Sequence, residues 1–135
     1  MLDCSVALAW CFPDEQAPHP QSVLDSLATA EAIVPSIWSL EVANAFVMGE
    51  RRKRSIPANT ESWKTFLATL PILIDAETSE RAWGDTLDLA RLHHLTVYDA
   101  AYLELAIREG VALATLDARL KAAATAAGVA AYDPG

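Results

Sequence analysis

At 135 residues the chain fits one domain, residues 1–135, and is long enough to bury a core without disulfide staples. Hydrophobic residues make up 53%, which argues against disorder, and 10 Lys and Arg against 18 Asp and Glu leave a formal charge of −8. So acidic a chain argues against a general nucleic-acid binder and suits a divalent cation or a basic partner instead.

Met1 and Leu2 begin an apolar run that stops at Asp3 and reads as the first strand. No basic lead precedes it, so it does not read as a signal peptide, and no stretch is long and apolar enough to span a bilayer. A soluble cytoplasmic domain is the expectation. Ser5 is placed to cap a helix from Val6 to Phe12. Cys4 and Cys11 would lie roughly 10 Å apart on one helix, too far for a disulfide, so free thiols are expected. Pro13, Pro18 and Pro20 read as a loop, followed by a helix from Gln21 to Ala30. Ala32 to Val34, closed by Pro35, reads as a strand.

Ser36 then opens a helix from Ile37 to Glu50 that ends in Arg51, Arg52, Lys53 and Arg54. Its apolar residues recur at helical spacing through Ile37, Trp38, Ala45 and Met48, with Leu40 and Val42 flanking. Glu41 falls in the middle of that stripe. A carboxylate there is costly unless it reaches solvent at the rim or is compensated by a distant basic side chain or a bound cation.

After a break at Ser55 to Pro57, a helix spans Asn59 to Leu70, and Pro71 introduces a strand, Ile72 to Ile74. Thr78 or Ser79 opens one helix reaching His93. Thr96 opens the next, Val97 to Glu109, which Gly110 closes. Val111 to Thr115 reads as a buried strand, Asp117 caps a helix to Ala127, and Val129 to Tyr132 is a last strand. Short apolar strands alternating with helices predict an α/β domain, a mostly parallel sheet with helices on both faces.

Ligands of such sheets collect outside the carboxyl ends of the strands. Asp3 ends the first strand, Asp117 follows the strand Val111–Thr115, and Asp99 opens the helix after Leu95. With Glu41 near the start of its helix, the four acids can converge at one end of a parallel sheet. Their mutual repulsion would be relieved by Mg²⁺ or Mn²⁺, hard ions that prefer oxygen ligands. Such an ion polarises a phosphodiester and helps ionise an attacking water. Each acid also has a local explanation. Asp117 suits a plain N-cap, Asp99 stands three residues after Thr96 as in a capping box, and Asp3 turns into the first helix.

Four segments carry a family resemblance. Asp3-Cys4-Ser5-Val6-Ala7-Leu8-Ala9-Trp10 resembles the opening motif of PIN-domain ribonucleases. Pro35 to Ala45, with Glu41-Val42-Ala43-Asn44-Ala45, resembles the second motif. Thr96 to Leu103 resembles the third, and Leu113 to Leu120 the fourth. They occur in family order from Asp3 to Leu120, and by length and wording the subgroup is the VapC toxins of bacterial toxin–antitoxin pairs. The resemblance implies a Mg²⁺- or Mn²⁺-dependent endoribonuclease, a homodimer, and inhibition by a small VapB-like antitoxin. It assigns Asp3, Glu41, Asp99 and Asp117 to the metal site, and Ser5, Asn44 and Thr115 to supporting polar positions. Only two residues precede Asp3 where a strand of about five is usual, so either the true start lies upstream of Met1 or the central strand is short.

Arg51, Arg52, Lys53 and Arg54 form the only dense basic run, read as a solvated helix end or as contacts for RNA phosphates. His19, His93 and His94 show no metal spacing and read as surface residues. Trp10, Trp38, Trp63 and Trp83 read mostly as core or interface anchors. The rival readings are a receiver-like signalling domain with an acidic Mg²⁺ pocket, a PIN-type nuclease outside toxin–antitoxin systems, and a non-catalytic regulator. Cys4 directly after Asp3, and no Lys between Val129 and Tyr132, count against the receiver.

Overall fold

Backbone hydrogen bonds join five short segments into one sheet in the computed structural model, which describes all residues from Met1 to Gly135. Strands β1 (Ala32–Val34) and β2 (Ile72–Ile74) pair in parallel, with Ala32 opposite Ile72 and Val34 opposite Ile74. On the other side of β1, the Leu2 N–H donates to the Ile33 carbonyl at 3.2 Å. Leu2 then bridges Ala114 in parallel, and Leu113 bridges Ala131. Numbered along the chain, the segments lie in the order 3-2-1-4-5, so the chain reverses its direction of travel across the sheet between Leu2 and Ala114. That is the position where open α/β sheets leave a crevice.

The strands expected at Met1–Leu2, Val111–Thr115 and Val129–Tyr132 contract to single bridges at Leu2, Leu113–Ala114 and Ala131. Leu113 and Ala114 are each 2% exposed, and successive residues of a strand point to opposite faces, so both faces are covered there. The β2 edge differs, since Leu73 and Ile74 are more than half exposed.

The helices are α1 (Cys4–Cys11), α2 (Pro18–Ser26), α3 (Trp38–Arg51), α4 (Pro57–Ala68), α5 (Thr78–Arg81), α6 (Leu87–His93), α7 (Val97–Glu109) and α8 (Ala118–Ala126). Two depart from expectation. α2 starts at Pro18, not Gln21, because the first turn of a helix leaves its N–H groups unpaired and so accepts proline. The helix expected from Thr78 to His93 is broken by a π-helical turn, Ala82–Thr86, inside which Gly84 takes the non-helical angles φ −104° and ψ −110°. Glycine adopts such angles where a side chain would resist. The same turn leaves Trp83 93% exposed, so this tryptophan is no core anchor. Trp38 is buried, and Trp63 packs with Phe12 and Phe46 in an aromatic trio.

The buried face of α3 is Trp38, Val42, Phe46 and Gly49, one row round from the expected stripe, and Leu40 is 73% exposed. Gly49 is needed there, because a Cβ would come within 2.8 Å of the Phe12 ring. Glu41 therefore stands beside the core face, half-buried at its rim. Cys4 and Cys11 are free thiols, as expected.

Candidate active site

Asp3 is the most enclosed of the acids, at 5% exposure. It lies between the Leu2 bridge and the first turn of α1, and its Oδ2 accepts from Ser5 Oγ at 2.6 Å and from Thr115 Oγ1 at 2.8 Å. Both polar partners were expected near the site. Each also ties down the segment after Ala114. Ser5 Oγ accepts from the Leu116 N–H at 3.0 Å, and Thr115 Oγ1 accepts from the Asp117 N–H at 3.0 Å. Ser5 therefore anchors Asp3 and does not cap α1, which begins at Cys4. Two hydrogen bonds load one oxygen of Asp3, leaving Oδ1 without a bond inside the protein.

Glu41 is held the same way. Its Oε1 accepts from the hydroxyl of Tyr102 at 2.6 Å, across 61 residues of chain. This neutral donor, and not a basic side chain, is what meets the half-buried carboxylate. Burial pushes the Glu41 pKa above its ordinary value, the Tyr102 hydroxyl opposes that, and Asp3 and Asp99 add to it. Tyr102 is fully buried, and its own pKa is raised by burial and by Glu41, so the proton stays on the phenol.

Asp99 opens α7, where Thr96 Oγ1 accepts from the Asp99 N–H at 3.1 Å and caps the helix. Burial raises the pKa of the Asp99 carboxyl and the charges of Asp117 and Asp3 raise it further, while a hydrogen bond from the Thr96 side chain and then the Arg119 charge partly offset them. Asp117 caps α8 through Oδ1, which accepts from the N–H groups of Arg119 at 2.9 Å and Leu120 at 3.1 Å. Its Oδ2 makes no hydrogen bond within the chain.

Asp3, Glu41 and Asp99 thus press on one another electrostatically, and Asp117 joins them through Asp99. Cys4 lies within the cluster. Burial and the charges of Asp3, Glu41 and Asp99 raise its pKa, which keeps it a neutral thiol and a poor nucleophile. The remaining expected residues make no hydrogen bond to the acids. Asn44 is exposed on α3 one turn after Glu41, with no bond to the acids. Arg51, Arg52 and Lys53 are exposed roughly 15 Å along α3 from Glu41, by the helix rise. Arg54 is engaged elsewhere, pairing with Asp14 at 2.9 Å and lying 4.4 Å over the Phe12 ring.

Tyr102 is the functional residue that sequence reasoning missed. Its signal was its place three residues after Asp99, on the same face of α7. The donor chemistry of the centre fits a hard divalent ion, since its side chains offer carboxylate oxygens whose charges repel one another. No three His, Cys, Asp or Glu side chains stand close enough to grip an ion unaided.

Comparison with known proteins agrees with this fold. The family model described as PIN domain matches residues 1–126. The crystal structure of PAE2754 from Pyrobaculum aerophilum is similar in fold, with a TM-score of 0.64 at 24% sequence identity, over 90% of this chain and 76% of that one. No curated protein gives a significant match.

Proposed function

The chain belongs to the PIN-domain family, a family of nucleases, and from that premise we propose that it is a Mg²⁺- or Mn²⁺-dependent endoribonuclease, the toxin of a VapBC-type pair. One observation carries the reading. Asp3, Glu41, Asp99 and Asp117 come from four separate elements, yet their charges act on one another beside the place where the chain reverses direction across the sheet, which supports the reading.

Three of these carboxylates are each anchored through one oxygen, with the other left unbonded. Ser5 and Thr115 hold Asp3, Tyr102 holds Glu41, and the first turn of α8 holds Asp117. Such anchoring presents oxygens in fixed positions without reorganisation during the reaction. Asp3, Glu41 and Asp99 would hold the ion, directly or through water, and Asp117 would orient the attacking water. The ion would polarise the phosphodiester and help ionise that water. The raised pKa values of Glu41 and Asp99 describe the centre before an ion is bound, and a bound cation would favour their charged forms.

The toxin assignment rests on the order and wording of the four motifs. In that reading the protein is a homodimer and meets a small VapB-like antitoxin. Trp83 and Leu92, exposed at 93% and 71%, are apolar side chains that such a partner would cover. A short reading frame beside this one, encoding a DNA-binding N-terminal half, would support the pairing.

The direct test is cleavage of a panel of structured RNAs by purified protein with Mg²⁺, Mn²⁺ or EDTA, beside Asp99→Asn. Metal-dependent cutting by the wild type and none by the variant is the expected result. Equal cutting in EDTA, or by the variant, would sink the reading.

A further inference from the structure

The protein is acidic, so its unpaired cations are informative. Of its 10 Lys and Arg, Arg54, Lys64, Arg81, Arg91 and Arg108 sit in ion pairs. The other five fall into two groups. Arg51, Arg52 and Lys53 end α3, away from the acids, whereas Arg119 and Lys121 stand on the first turns of α8. Arg119 acts on Asp99 directly.

Lys121 borders a cavity of about 210 Å³ that also has His19, Thr115, Thr125, Tyr132 and Asp133 in its wall. Thr115 is shared with the acidic centre, because its hydroxyl bonds Asp3 at 2.8 Å. The cavity thus adjoins the centre through Thr115 and runs between α8 and the segments at Leu113 and Ala131, with Leu113, Ala124, Val129 and Ala131 as its apolar wall. It is smaller than sites for drug-sized ligands and suits one planar group. No side-chain atom of His19, Lys121 or Tyr132 makes a hydrogen bond or ion pair within the protein, so all three are free to meet a ligand.

Resting on the endoribonuclease reading, we propose that this cavity seats the nucleotide adjoining the bond to be cut. The Lys121 ammonium binds its phosphate, and the Tyr132 ring stacks on its base, a contact open to any base. Asp133, whose Oδ1 accepts from the Gly135 N–H at 3.1 Å, would repel a phosphate and would accept from a base N–H instead. Unstacked bases of single-stranded RNA can be read this way, whereas paired ones cannot.

The test uses labelled single-stranded RNA of mixed sequence, with cleavage and fluorescence anisotropy followed between 50 and 200 mM salt. Lys121→Ala is compared with Lys64→Ala, which removes the same charge from α4. Lys121→Ala should raise KM about tenfold and make the log–log salt slope shallower by about 0.7, while Lys64→Ala changes neither. Tyr132→Ala should raise KM by a similar factor. Because Tyr132 also packs on the core, exposed Thr125→Phe gives a second route, filling the cavity and raising KM without touching the acids. Wild-type kinetics in Lys121→Ala and Thr125→Phe would overturn the seat and leave the nuclease reading intact. A wild type that binds Mn²⁺ by calorimetry but neither binds nor cuts the RNA overturns both.

Discussion

Two clusters of carboxylates lie in this domain, and they are resolved in opposite ways. The first is the catalytic candidate, Asp3, Glu41, Asp99 and Asp117. The second surrounds Arg108 on α7. Its guanidinium donates to Asp75 at 2.8 and 3.0 Å, to Glu104 at 2.8 and 3.1 Å, and to Glu77 at 3.2 Å. Arg108 holds the Asp75 pKa below the ordinary carboxylate value, whereas burial pushes Glu41 and Asp99 above it. One cluster carries its cation in the sequence. The other is built only of oxygens and mutual repulsion, the arrangement expected where charge is kept for function.

The largest expected effect separates the two at once. Asp3→Asn or Asp99→Asn should lower metal-dependent RNA cleavage by at least ~10²-fold, with the circular dichroism spectrum unchanged. Arg108→Ala should do the reverse. It strands Asp75 and Glu104, both nearly buried, and should cost about 3–5 kcal/mol in urea unfolding while leaving cleavage per folded molecule near normal. Loss of stability without loss of turnover in the first pair would merge the clusters into one structural network.

The opposite pKa shifts sharpen the comparison through pH. Asp75 has a depressed folded pKa, so its contribution is present above the unfolded value, about 3.9, and is lost as pH falls through the folded value. Glu41 and Asp99 have raised folded pKa values, so the folded state holds more protons than the unfolded one just above their own unfolded values, about 4.3 for Glu and about 3.9 for Asp. Their ionisation therefore lowers stability as pH rises through the folded values. Asp75→Asn should lower the thermal midpoint of the metal-free protein at pH 7. Asp99→Asn should raise it, and the gain should vanish near pH 4. Added Mn²⁺ should stabilise the wild type and not Asp99→Asn, because a ligand stabilises only the state that binds it. A neutral-pH midpoint for Asp99→Asn at or below the wild type would remove this contrast.

Which of these features were legible in the chain follows from how far apart their parts lie. The local signals held. Thr96 and Asp99 sit three residues apart and cap α7, and Gly110 closes it at φ +64°. The positions of Asp3 and Asp117 followed from where apolar runs ended. The α/β class followed from the alternation of elements. The rest needed the fold. Nothing local joins Glu41 to Tyr102 across 61 residues, or Arg108 to Asp75 across 33. The core face of α3 lies one row round from the stripe through Ile37, Ala45 and Met48, because Phe46 packs inward beside Phe12 and Trp63 and sets that face. The strands shrank to bridges because apolar runs of three to five residues mark burial and do not fix how many ladder bonds form.

Tyr102→Phe tests a smaller effect. It keeps the buried ring and removes one hydrogen bond to a charged oxygen, worth about 1.5–3 kcal/mol. Mn²⁺ binding by calorimetry should weaken, since Glu41 loses the contact that orients it, and kcat should fall more than KM rises. Unchanged Mn²⁺ affinity would reduce Tyr102 to a core residue.

The smallest stability effect belongs to Asp117, and it separates two roles of one side chain. As N-cap of α8 it accepts from the N–H groups of Arg119 and Leu120. Asn caps as well as Asp, while Ala does not and costs about 1 kcal/mol. Asp117→Asn should therefore unfold at the wild-type urea midpoint and yet cut RNA poorly. Asp117→Ala should lose both stability and cleavage. If Asn restored cutting as fully as it restores the cap, the charge of Asp117 would have no part in the reaction, and the acidic centre would reduce to Asp3, Glu41 and Asp99.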